Sequence, residues 1–162
     1  MDVNKIQFVL AAEYDTAALI RDISSMLDEF RLQFGLESND EYHRRFAVPG
    51  RFDDENIMFI KGLLQKGLPA DCRAQITDRL FQTYVTQDES GFAAELYMTS
   101  DQLRYIQDQG MHIGSHSYDH KWLDTLPPEE QESQVDQSLG FLGELGCPED
   151  RWSFNYPYGG YD

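Results

Sequence analysis

Basic residues are scarce in this chain. Of its 162 residues only 13 are Lys or Arg, against 29 Asp or Glu, and the formal net charge is −16. That balance excludes a basic groove for nucleic acid and an electrostatic grip on an anionic membrane. A neutral or cationic sugar would meet no such repulsion. Cysteine is scarcer still. Cys72 and Cys147 fit no metal-binding or redox spacing, and so low a count points to a reduced, cytoplasmic setting. Long apolar runs are missing: no stretch reaches the ~18 residues of a membrane span. Nor does a basic N-terminus lead into an apolar run, as in a secretory signal. What remains is a chain 41% hydrophobic and 13% aromatic, which is not a disordered composition. Its length suits one domain with a real core.

Much of the first half reads as helix. Leu19, Ile20, Ile23, Met26, Leu27 and Phe30 recur at three and four residues and predict an amphipathic helix ending near Gly35. Residues 2–12 fit either a strand or the start of a helix. Residues 38–50, closed by Pro49 and Gly50, read as a loop with one helical turn at most, and His43 falls there as a solvated side chain. Asp53, Asp54 and Glu55 stand before an apolar-periodic run, where carboxylates accept from free N–H groups and complement the helix dipole. A further helix follows over residues 70–86 with Ile76, Leu80 and Phe81 inward, and another is capped near Thr99 or Ser100. Pro127 and Pro128, with Glu129 and Glu130, start a last one, whose expected buried stripe is Val135, Leu139, Leu142 and Leu145. Residues 151–156 read as a strand running into a tight turn at Pro157-Tyr158-Gly159.

Chemistry concentrates in Gly110-Met-His-Ile-Gly-Ser-His-Ser-Tyr-Asp-His120, which holds three of the four histidines. His116 and His120 are four apart. Two neutral imidazoles at that separation can meet one divalent ion if they share a helix face or if the chain turns sharply between them. Gly110, Gly114, Ser115 and Ser117 are poor helix residues, so the turn is expected, with His116 ending a short strand and His120 in the turn beyond it.

The string His116-Ser-Tyr-Asp-His120, followed by Leu123 and Leu126, resembles the second motif of the polysaccharide deacetylases, also called the NodB-homology family or carbohydrate esterase family 4. Asn155-Tyr-Pro-Tyr-Gly159 resembles that family's third motif, Arg-x-Pro-Tyr-Gly, and lies about forty residues on. Two positions depart from the pattern: Lys121 stands where the family often has Pro, and Asn155 where it has Arg. The first motif, Thr-Phe-Asp-Asp-Gly, has one partial counterpart in Arg51-Phe52-Asp53-Asp54-Glu55, which lacks the Gly and opens a well-marked helix. The late motif with the general-acid His has no counterpart.

The resemblance implies an α/β fold, part of a deformed (β/α) barrel. Residues 1–94 would be a mainly helical insertion between the first and second motifs, and residues 95–162 a partial, truncated catalytic domain. It implies a metal-dependent hydrolase acting on carbon–nitrogen bonds of linear, non-peptide amides, removing acetyl groups from the amino sugars of a polysaccharide or glycoconjugate. His116 and His120 would hold a divalent metal, zinc first among the candidates. The Tyr158 N–H would stabilise the oxyanion, and Pro157, Tyr158 and Gly159 would line the substrate groove. The family's Asp base and His acid are not assigned to any residue here. His112, Ser117 and Asp119 are read as structural.

Two other classes stay open. One is a non-catalytic carbohydrate-binding or regulatory domain in which Trp152, Tyr156, Tyr158 and Tyr161 stack on sugars. The other is a helical interaction domain with no site at all.

Overall fold

The apolar spacing over residues 19–30 does what it predicts. In the computed structural model, which describes residues 2–148 and 150–161, helix α2 (Thr16–Phe34) starts at an Asp15 carboxylate that accepts from the Ala18 N–H. It ends at Gly35 in the left-handed conformation. Leu19, Ile23, Leu27 and Phe30 form one buried stripe along it. Residues 2–12 are helical (α1, Asp2–Ala12). The stretch read as a loop holds α3 (Asn39–Phe46). The reason is local: Ser38 and Glu41 form a capping box that satisfies free N–H groups at the helix start. Pro49 and Gly50 act only beyond its end.

Helix α4 (Glu55–Gly62) is capped by Asp54, whose carboxylate accepts from the Ile57 N–H, and it widens into a π-turn over Leu63–Gly67. After Pro69 comes α5 (Ala70–Tyr84). These helices share one core, in which Ile6, Val9, Phe59, Ile60, Leu63, Leu64, Ile76, Leu80 and Phe81 are each 2% exposed or less. Each such side chain contributes about 2 kcal/mol by leaving water. Polar groups tie the helices at the rim. Arg79 donates to both carboxylate oxygens of Glu29 at 2.7 and 2.9 Å, and the Tyr84 hydroxyl donates to Asp22 at 2.5 Å. The buried Lys5 ammonium donates to Asp78 at 2.5 Å and Glu89 at 2.8 Å. Cys72 is buried and free, its thiol pKa pushed up by that burial.

The chain divides into two compact units, Met1–Phe92 and Ala93–Asp162. The division falls inside α6 (Glu89–Leu96). The second unit contains α7 (Ser100–Asp108), with a Thr99–Gln102 capping box, and α8 (Pro128–Glu144), with proline in its first turn. Short 3₁₀ turns lie at Leu123–Thr125 and Pro157–Gly159.

The barrel expectation is overturned. Among the described residues there is no strand and no sheet, and the fold is predominantly helical. The two segments expected as strands meet in a single parallel bridge between Ser115 and Phe154. There the Ser115 N–H donates to the Ser153 carbonyl at 2.8 Å, and the Asn155 N–H donates to the Ser115 carbonyl at 3.0 Å. The residues explain why pairing stops there. Over 111–116 only Ile113 is β-branched, over 151–156 none is, and Gly114 adds nothing to a strand face.

Candidate functional site

The bridge sets the site because it fixes where His116 begins its turn. Gly114 is what lets the two segments approach. A Cβ built there would lie 2.3 Å from Ser153 Oγ, closer than real Cβ atoms come, and a tight 3.1 Å from the Ser153 carbonyl oxygen. Past the bridge the backbone turns sharply. Ser117 (φ 67°) and His120 (φ 57°) both take the left-handed conformation that non-glycine residues avoid. Tyr158 (φ 58°) does so on the opposing 3₁₀ turn. Among the described residues these are the positive-φ positions not occupied by glycine, and all three fall within this one locality.

The turn brings the two histidines together. Their ring centroids are 4.6 Å apart, edge to face. The His120 ring lies 4.9 Å from the Tyr158 ring, and Tyr158 stacks flat on Trp122 at 4.3 Å and 5°. Pro157 is buried at the start of the same turn, and Gly159 is exposed on it. The His–His–Tyr grouping read from two separate motifs is thus one contiguous wall of rings.

The two imidazoles have different surroundings. His116 Nδ1 lies 2.7 Å from the Asn155 carbonyl oxygen. A carbonyl can only accept, so Nδ1 carries the proton and the Nε2 lone pair of the neutral ring is left available. His120 is half-buried, and its Nδ1 is enclosed without a hydrogen-bond partner. Its pKa lies below the ordinary histidine value. Desolvation by burial is the main cause and the nearby His116 the next; its own backbone opposes the shift without making a hydrogen bond of normal geometry. The ring therefore holds its neutral, metal-ligating form to lower pH.

Together these groups fit part of a zinc-type coordination sphere: two imidazoles in contact, one with Nδ1 turned to a carbonyl, the other with an orphaned buried nitrogen. They do not complete it. Among the described residues no group of three or more His, Cys, Asp or Glu side chains is placed to hold a metal ion.

The other candidate residues have structural occupations. His112 Nε2 lies 3.0 Å from Ser153 Oγ. Asp54 caps α4, and Asp53 pairs with Lys61 at 2.7 Å. His43 is exposed on α3 with its ring 5.3 Å from Phe59.

Sequence reasoning missed Gln134 and Ser138. Both are buried on α8, where Val135 and Leu139, expected inside, are only half-buried. Ser138 Oγ donates to the Val135 carbonyl, so at 2.7 Å it accepts from Ser115 Oγ. Gln134 Oε1 accepts from Ser117 Oγ at 3.0 Å and from the Asp119 N–H at 2.7 Å, while its Nε2 donates to Asp119 Oδ2 at 2.9 Å. The signal was available in principle: Gln134 and Ser138 are four apart and in line with Leu142 and Leu145, a spacing that suits two polar contacts to one neighbouring segment.

Compared with known proteins, residues 73–162 match the model of the family described as polysaccharide deacetylase. That span covers more than half of the chain, from within α5 to the C-terminal residue, and includes every group of the site. No curated protein and no solved structure matches the chain.

Proposed function

We propose that this chain, which belongs to the polysaccharide deacetylase family, carries the metal-binding face of a hydrolase that removes N-linked acetyl groups from amino sugars. The observation that carries this reading is the convergence of His116, His120 and Tyr158 at one place, built with backbone strain at Ser117, His120 and Tyr158. Each such position costs of order 1–3 kcal/mol and persists only where its surroundings hold it. Strain concentrated beside an orphaned imidazole nitrogen supports a binding site more than a loop of convenience.

His116 Nε2 and a nitrogen of His120 would hold a divalent ion, zinc by the preference of imidazole donors. When bound, such an ion polarises the substrate amide and lowers the pKa of bound water. The chain's own residues do the rest of the positioning. The Asn155 carbonyl holds the proton on His116 Nδ1, so that the lone pair falls on Nε2. The Tyr158 N–H is assigned to the developing negative charge on the amide oxygen, where a fixed donor is most effective. The stacked Trp122–Tyr158 pair lies against the His120 ring through Tyr158. Pro157, Tyr158 and Gly159 form the turn that would face the sugar. A further ligand, a base and an acid are still required, and no residue of this chain is assigned to those roles.

A second reading, carbohydrate binding without catalysis, draws on a different observation. Trp152, Phe154, Tyr156 and Tyr161 form a continuous run of rings, with centroid separations of 6.4, 5.1 and 5.5 Å, and Trp152, Tyr156 and Tyr161 are exposed to solvent.

Calorimetric titration of the full chain with zinc and cobalt tests the first reading. One equivalent should bind to the wild type and none to His116→Ala or His120→Ala. Binding of a chitin oligosaccharide by a protein that takes up no metal would favour the second reading and overturn the first.

A further inference from the structure

We infer that Gln134 on α8 is a positioning residue for the histidine pair, fixing the turn that sets one imidazole against the other. The inference rests on the metal-site reading above for its function but on separate geometry for its content.

Four features carry it. Gln134 is 5% exposed, so its amide has left water and must be satisfied by the protein. Both ends of that amide are used on the residues between the two histidines. Oε1 takes the Ser117 hydroxyl at 3.0 Å and the Asp119 N–H at 2.7 Å, and Nε2 gives to Asp119 Oδ2 at 2.9 Å. The residues it holds adjoin the strained ones: Ser117 is itself left-handed, and Asp119 directly precedes left-handed His120. One turn along the same helix, Ser138 holds Ser115 at 2.7 Å, immediately before His116. The ligand-bearing segment is thus fastened to α8 at both ends, and Gln134 fastens the end that has no backbone bridge to rely on.

The direction of each bond gives a selective test. Gln134→Glu keeps an acceptor for Ser117 and the Asp119 N–H. It loses the donor to Asp119 Oδ2 and sets two carboxylates against each other. Adding Asp119→Asn reverses that bond, since the new side-chain amide then donates to the new carboxylate, and all three hydrogen bonds return. Gln134→Met keeps the volume and removes every bond.

Each variant of the full chain would first be examined without metal, by NMR of the His116 and His120 ring resonances and by hydrogen exchange at the Asp119 amide. Gln134→Glu and Gln134→Met should both move the ring resonances. In Gln134→Met the Asp119 amide should also lose about tenfold or more of its protection. The double variant, Gln134→Glu with Asp119→Asn, should return the rings to their wild-type positions. Zinc titration should then show an affinity loss of about tenfold or more in both single variants, the scale typical of groups that orient metal ligands, with recovery to within about threefold in the double variant. Unmoved ring resonances in Gln134→Glu and Gln134→Met overturn the inference, whatever the metal does. A double variant that folds but fails to restore the rings overturns it equally. If the rings respond as expected and the wild type binds no zinc, the metal reading fails and the positioning role stands.

Discussion

Replacing Tyr158 by Gly and by Ala separates backbone strain from ring packing at the site. Both substitutions remove the same ring contacts. The stack on Trp122, at 4.3 Å and 5°, contributes about 1 kcal/mol beyond its area. The half-buried ring adds about 2 kcal/mol if roughly 75 Å² of apolar surface returns to water. Tyr158→Ala should therefore cost about 3 kcal/mol. At an ordinary position Gly would then be worse than Ala by about 0.5–1 kcal/mol, because its unfolded chain is freer. At φ 58° the order should invert. Ala keeps a left-handed penalty of roughly 1–2 kcal/mol that Gly does not pay, so the Gly variant should be the more stable by about 0.5–1 kcal/mol.

Urea unfolding followed by tryptophan fluorescence reads this directly. Both tryptophans, Trp122 and Trp152, lie in the Ala93–Asp162 unit, so the signal belongs to the part that holds the site. Trp122→Ala closes the cycle: with Tyr158→Ala it should show a coupling of about 1 kcal/mol. A Gly variant less stable than the Ala variant would mean that Tyr158 is not held left-handed in solution. Backbone strain would then no longer mark this site.

Three further outcomes are expected from single substitutions, and one from pH. Gly114→Ala should destabilise by about 2 kcal/mol, through overlap with Ser153, and should lower hydrogen-exchange protection of the Ser115 amide. Gly140→Ala, on α8 where an added methyl meets nothing, should stabilise by about 1 kcal/mol in the same urea assay. Thr77→Val should be neutral to stabilising by about 1 kcal/mol in thermal melts, since the Thr77 hydroxyl is buried with no partner and Val keeps its shape. Alkaline pH should weaken the Met1–Phe92 unit. Burial alone would lower the Lys5 pKa, but hydrogen bonds to Asp78 and Glu89 outweigh it and leave it raised. Tyr84 is pushed up to about 12 by its hydrogen bond to Asp22, with burial adding to the shift. Groups whose folded pKa is raised stabilise fully below their unfolded values, 10.0 for Tyr84 and 10.5 for Lys5, and lose that contribution as pH rises through the folded ones. Urea midpoints followed by circular dichroism should therefore fall above about pH 10, and Tyr84→Phe with Lys5→Met should flatten the fall.

What could be read in the residues was what rests on short-range physics. The α2 stripe, the Asp54 cap and the proline start of α8 each depend on neighbours within a few positions, and each appears in the structure as expected. So did the sharp turn between His116 and His120, because Gly and Ser disfavour helix there whatever lies around them. The helix α3 is equally local: its Ser38–Glu41 capping box is a sequence signal in its own right, and Pro49 and Gly50 mark only the chain beyond its end. The strands were another matter. Aromatic alternation in Trp152, Phe154 and Tyr156 suits a strand, yet a strand exists only if another runs alongside, and that partner is a property of the whole chain. One bridge is all the described residues supply.

The same distinction explains why Gln134 escaped notice. A hydrophobic stripe locates a core, and of the one expected on α8 Leu142 and Leu145 are buried, while Val135 and Leu139 give up their places to Gln134 and Ser138. In a sheet the turn between two ligands would be held by its ladder, and the face of a supporting helix could be wholly apolar. Here the ladder is reduced to one bridge before His116, so the residues after it need another source of hydrogen bonds. Helix side chains are what lies within reach, and burying an amide and a hydroxyl in that face is tolerable because both are satisfied, the amide wholly by the segment it holds. The shortage of sheet and the polar positions on α8 are therefore one fact seen from two sides. The buried polarity that looks like a flaw in the stripe is the device that sets His120 against His116.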